Sequence, residues 1–112
     1  MENTSQYLLI KYTLERKSLL QKLNTFTNII ENEGDEFTVF LAVTKPDIDQ
    51  VLDNIGKLGD EFNTIAENMF GMFENDSWDT IQSKLSVFSD VCNRYEKALD
   101  KYIGYYEDYI NV

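Results

Sequence analysis

Apolar residues recur at alternating intervals of three and four along most of the chain, which is the spacing of one face of an α-helix. Three segments carry this pattern, over residues 9–30, 48–72 and 78–109. We call the positions at this spacing the seam of each segment. Every seam position of the second and third segments is apolar or aromatic, whereas the seam of the first is interrupted at Arg16. The first seam consists of Leu9, Tyr12, Arg16, Leu19, Leu23, Phe26 and Ile30. The pattern predicts three long helices that share one core.

Turn-forming residues between the patterned segments set the predicted helix boundaries at about 5–33, 46–73 and 77–110. Gly34 suits a helix C-terminus, and Pro46 suits a first turn, where its missing N–H is not needed. The residues before position 78 offer N-caps for the third helix. Because the second connection is short, we predict an all-α fold, an antiparallel bundle of three long helices that forms a single domain over residues 1–112.

Two features leave the helix count open. Residues 36–44 are rich in β-branched and aromatic side chains, but a lone strand would have no partner within the chain. We therefore predict an apolar crossing segment over residues 34–45 that packs on the bundle, with a short helix or an intermolecular strand as alternatives. Gly56 and Gly59 each cost a helix about 1 kcal/mol relative to Ala, so a break of the second helix there is the other alternative.

The charge is acidic overall and unevenly placed. The chain has 20 acidic and 10 basic residues, a net charge of −10, and residues 31–80 hold thirteen of the acids but only two of the bases. Such a chain is repelled by nucleic-acid phosphates and anionic lipids, so we expect no direct nucleic-acid or membrane binding and a basic protein as partner. The longest apolar run is too short for a membrane span, and no signal-peptide pattern is present, so a cytoplasmic location is expected.

The composition also limits the available chemistry. The chain has no histidine and one cysteine, which excludes histidine-based triads, histidine metal ligands and internal disulfides. The spacing of Asp47, Asp49 and Asp53 lacks the central glycine and closing glutamate of a calcium loop. A slim bundle offers little concavity in which a catalytic carboxylate could be perturbed. We therefore expect a protein that is not an enzyme and that holds neither cofactor nor metal.

Acidic residues form two candidate partner-binding groups. One is a stripe opposite the second seam, with seven-residue spacing and about 10.5 Å between neighbours. Lys57 alone interleaves with this stripe, and clustered like charge costs stability. The other group lies at the end where the tyrosines crowd, and there Tyr105 is off the seam and expected to point outward. The stripe consists of Asp53, Asp60, Glu67 and Glu74, with Glu61 beside it, and the end group of Glu31, Glu33, Asp35, Glu36, Asp47, Asp49 and Tyr105.

These features favour a non-enzymatic acidic module that binds a basic nucleic-acid-handling protein as an inhibitor or decoy. Phage anti-restriction and anti-CRISPR proteins and nuclease-immunity proteins use this logic, and the analogy is one of composition only. The alternative is a structural or assembly protein that self-associates through its helices as a homo-oligomer. Phe70 and Phe73 favour that alternative because they broaden the apolar stripe of the second helix.

Overall fold

The computed structural model describes residues 2–112, with side chains from Gln6 onward, and within this range the secondary structure is entirely helical. The prediction of an all-α fold is thereby confirmed. Four helices of ten residues or more and one short turn replace the three predicted helices. They are α1 (Glu2–Asn32), α2 (Asp35–Thr44), α3 (Ile48–Met69), α4 (Met72–Asn75) and α5 (Trp78–Ile110).

The longest described helix, α5, lies at the centre of the fold, and the other long helices pack on it. Both α1 and α3 pack mainly on α5 rather than on each other, and the whole measures 53 × 22 × 20 Å. Half of the buried apolar side chains belong to α5, among them Phe88 and Leu99. Burying one such side chain stabilises the fold by about 1.5–3 kcal/mol, so α5 dominates the core. The helix begins where the Ser77 hydroxyl accepts a hydrogen bond from the Thr80 N–H.

Contacts between side chains give the helix directions. The ring of Tyr12 lies 4.8 Å from that of Phe88, and the ring of Phe26 lies 4.9 Å from that of Tyr102, so α1 runs in the same direction as α5. In contrast, α3 runs opposite to α5. Its start contacts the end of α5 through Asp47, and its last turn accepts a hydrogen bond from Lys84 near the start of α5.

The favoured prediction of an apolar crossing over 34–45 is not confirmed, and the structure has there the short helix α2, which was one of the alternatives. Phe37 and Leu41, one helical turn apart, are buried, and the Phe37 ring packs edge-on against Tyr102 and Tyr106. The strand alternative is therefore wrong. Burial of one apolar face against α5 outweighs the β-propensity of the segment, because tertiary packing routinely overrides local preference.

The second predicted helix, 46–73, ends early. It is continuous through Gly56 and Gly59, so the predicted weak points do not break it. The break falls at Gly71, whose φ of 75° is left-handed and interrupts the helix before α4. Glycine reaches this conformation without the Cβ clash that other residues suffer. Met69 and Met72 are both buried across the turn, so the apolar seam continues although the helix does not.

The first seam is correct at four of its seven predicted positions. Tyr12, Leu19, Leu23 and Phe26 pack in the core, whereas Leu9, Arg16 and Ile30 are exposed. At these three places the preceding residues, Leu8, Glu15 and Ile29, are the ones that face inward. The Glu15 carboxylate accepts a hydrogen bond of 3.0 Å from Ser89 of α5. The conflict seen at Arg16 is thus resolved, because Glu15 takes the inward position.

Candidate partner-binding surface

The outer face of α3 carries three carboxylates in helical register. Asp53, Asp60 and Glu67 are all exposed, and seven residues of α-helix separate neighbours by about 10.5 Å. Glu74 is also exposed, but it lies on α4 beyond the Gly71 turn and so leaves the predicted stripe. We call Asp53, Asp60 and Glu67 the α3 stripe.

In the described structure, cations pair with Glu61 at the edge of α3 and with one acid of its outer face, Asp53. Arg94 grips both oxygens of Glu61, with the shorter contact at 2.6 Å, and holds the pKa of that carboxyl below its usual range. Glu61 is therefore engaged within the molecule. Within the α3 stripe, Lys57 lies 3.0 Å from Asp53. Among the described residues, exposed acids that make no ion pair include Glu31, Asp35, Glu36, Asp49, Asp60, Glu67 and Glu74.

A hydrogen-bond network ties the start of α3 to α5. The Tyr105 hydroxyl donates to both oxygens of Asp47, at 2.7 and 3.0 Å, and the Lys101 ammonium lies 2.9 Å from the same carboxylate. These donors lower the pKa of Asp47, the Tyr105 hydroxyl most strongly. The expectation that Tyr105 points outward is wrong, since it is half-buried and bound to Asp47.

Two other acids of the end group, Glu33 and Glu36, lie beside the aromatic cluster of Phe37, Tyr106 and Tyr109. Glu33 is half-buried and accepts a hydrogen bond of 2.8 Å from the Tyr106 hydroxyl, which raises the pKa of that phenol. Beside it a cleft of about 270 Å³ opens between α1, α2 and α3, with Ile30 and Leu52 among its apolar walls and Asp49 at its edge. The end therefore combines apolar surface with exposed carboxylates.

No protein-family model, curated protein or solved structure matches this chain. The guide to function is then the chemistry of its own surfaces.

Other surface features bear on chemistry. A groove of about 630 Å³ runs between α1 and α5 past Glu15 and Cys92. Burial raises the pKa of the Cys92 thiol to about 12, so it is protonated at neutral pH and packs as a small apolar group. In the described range, no three cysteine or carboxylate side chains converge as metal ligands. Every described helix is too short or too polar to cross a bilayer.

One surface lies outside the residues predicted from the sequence. Tyr7, Ile10 and Leu14 follow one another at intervals of three and four on α1, and their exposed fractions are 64%, 58% and 60%. Lys17 continues the same line and is exposed. We call these four residues the α1 outer face. The sequence could have indicated this surface, because its three apolar residues have the same helical spacing as the predicted seam but lie on another face of the helix.

Proposed function

We propose that this protein is a non-enzymatic acidic decoy that occupies the basic surface of a nucleic-acid-handling protein. The observation that supports the proposal is the segregation of its charges. The inner acids, such as Glu61 and Asp47, are paired with cations of α5, whereas Asp60 and Glu67 face solvent without an ion pair in the described structure. Unpaired carboxylates on one face repel each other and cost stability, and a cationic partner would relieve that repulsion.

The spacing of the α3 stripe suits this role. Neighbouring carboxylates lie about 10.5 Å apart, close to the rise of three base pairs at about 3.4 Å each. A helix anchored on α5 presents them rigidly, which reduces the entropy lost on binding. Complementary charge would mainly accelerate association and select basic partners. Phage inhibitors of host defence and nuclease-immunity proteins would both draw on this chemistry.

The cleft beside α2 offers an anchoring point for the same partner. Its apolar walls can cover the aliphatic stem of a lysine or arginine, while Asp49 at its edge meets the cationic head. A buried arginine of this kind is a frequent centre of binding energy in protein interfaces. The α3 stripe and the cleft would then be parts of one acidic surface.

The test compares two double variants of equal net charge. Asp60→Lys with Glu67→Lys alters the α3 stripe, and Asp79→Lys with Glu107→Lys alters exposed acids of α5 that make no ion pair in the described structure. Tagged proteins are used to capture partners from nuclease-treated lysate, and each captured protein is then challenged with duplex DNA. We expect the wild type and the α5 variant to capture a basic nucleic-acid-binding protein that DNA displaces, and the stripe variant to lose it.

Two results would contradict the decoy proposal. One is capture of the same partner by the stripe variant. The other is a partner that binds DNA and this protein at the same time. Circular dichroism of both variants checks that each retains its helices, since Asp79 lies in the first turn of α5 and contributes there to the helix dipole.

Self-association is the second candidate function. Phe70, directly after α3, is 93% exposed, and Phe73 in α4 is 52% exposed. Apolar side chains exposed to this extent in one place are typical of a surface that another molecule covers.

A further inference from the structure

The first half of α1 exposes more apolar surface than packing on α5 requires. Leu19 is fully buried against α5, yet Tyr7, Ile10 and Leu14 on the α1 outer face are each more than half exposed. A surface helix usually has one apolar stripe, and a helix that is apolar on several faces is usually buried on several faces. The α1 outer face is therefore shaped for a second contact.

The charge around this face is positive. Lys11, Arg16 and Lys17 lie in this part of α1 against the single acid Glu15, whereas Lys22 is paired with Asp100 and Glu96 of α5. Glu15 is not available to an outside partner, since it is hydrogen-bonded to Ser89 and lies near Lys11. Lys17 is exposed and makes no ion pair in the described part of the chain. An occupant of this face must be acidic and partly apolar.

We propose that the occupant is a second copy of this chain, which docks its α3 stripe on the α1 outer face. Its Asp60 and Glu67 supply the acidic charge, and Phe70, 93% exposed at the end of α3, supplies the apolar contact. Pairing of two α1 outer faces is disfavoured because it would bring the lysines of both copies together. The contact is thus head-to-tail. In a dimer formed this way, one copy keeps a free α1 outer face and the other copy keeps a free α3 stripe.

This contact goes beyond the proposed decoy function and does not depend on it. It would occupy the same acidic residues, so self-association and capture of a basic protein would compete for the α3 stripe. The α1 outer face takes part only in self-association. Variants of α1 therefore separate the two proposals, whereas variants of the α3 stripe affect both.

The test uses two variants that each disable one face. Ile10→Gln with Leu14→Gln removes the apolar contact of α1 and leaves its charge, and Asp60→Lys with Glu67→Lys disables α3. Val39→Gln with Val43→Gln is the matched control, because these α2 residues have the same four-residue spacing and are 60% and 76% exposed. Each protein is followed by sedimentation velocity from micromolar to millimolar concentration.

We expect the mass of the wild type and of the control to rise above 13.1 kDa with concentration, and each face variant alone to stay at that mass. An equimolar mixture of the two face variants should form a 1:1 dimer and nothing larger, because only one competent pair of faces remains. A monomeric wild type, association of the α1 variant as in the wild type, or a mixture that stays monomeric would overturn the proposal. The α1 variant should still capture the basic partner of the wild type, so either proposal can fail without the other.

Discussion

Helices α1 and α3 both pack on α5, but they differ in how much of their apolar surface this packing buries. Helix α3 has one apolar stripe, with Val51, Ile55 and Leu58 buried, and an acidic outer face. Helix α1 buries Leu19 and Ile29 but also exposes apolar side chains on other faces, and its charge is positive. Helix α3 thus buries most of its apolar side chains within this fold, whereas α1 leaves several of its own exposed.

The largest difference in stability is expected between two leucines of α1. Leu19→Ala should lower the free energy of unfolding by about 2–5 kcal/mol, because Leu19 is fully buried and truncation leaves a cavity. Leu14→Ala, on the outer face of the same helix, should change it by no more than about 0.5 kcal/mol. Urea denaturation of dilute protein measures both. Equal losses at the two positions would show that the outer face is part of the core.

Smaller changes in stability are expected when two glycines of the second apolar segment are replaced by alanine. One replacement should destabilise the fold and the other should stabilise it. Gly71→Ala should destabilise the fold by about 1–2 kcal/mol, because its φ of 75° is left-handed and an added Cβ would lie 3.1 Å from Asn75. Gly56→Ala should stabilise it by about 0.5–1 kcal/mol, since Gly56 lies inside α3 and an added Cβ meets nothing within 4 Å. Thermal unfolding distinguishes the two, and a stabilising Gly71→Ala would contradict the placement of the helix break.

The smallest effect concerns the network that ties α3 to α5. The lowered pKa of Asp47 means that its ionised form stabilises the fold above the usual carboxyl range, and this contribution is lost as pH falls through the lowered value. Asp47→Asn should therefore lower the urea midpoint at neutral pH, and the difference from wild type should close in acid. Tyr105→Phe removes the largest contributor to that pKa shift and should reproduce part of the loss. A difference that persists unchanged at low pH would show that the carboxylate charge is not involved.

The fold was predictable where one apolar register dominates. In α3 and α5 the predicted seam coincides with buried residues such as Ile55 and Leu99, because polar residues occupy the other faces. In α1 the predicted seam is correct at Leu19 but wrong at Leu9, Arg16 and Ile30, where the preceding residue faces inward. Both choices fit helical spacing, so only the position of α5 decides between them. The sequence did not predict the end of α3, because helix propensity is the same for Gly56, Gly59 and Gly71. Only the left-handed backbone conformation of Gly71 shows that the helix ends there.

The sequence was enough to predict which residues of the candidate site are exposed acids. It was not enough to predict which of them are already engaged by partners within the molecule. Asp60 and Glu67 lie on the outer face of α3, as heptad spacing indicated. Glu61 and Tyr105 are engaged within the molecule, and their partners Arg94 and Asp47 are 33 and 58 residues away in sequence. Local spacing cannot show such long-range contacts, because they depend on the register between α3 and α5.

The place of α5 in the chain has a consequence for the order in which the protein can fold during synthesis. The first 77 residues include α1 to α4, but α1 and α3 pack mainly on α5, which follows them in the chain. During synthesis their apolar faces therefore remain uncovered until α5 has left the exit tunnel. A chain interrupted before α5 would be a substrate for chaperones and proteases, because folding has to wait for this helix.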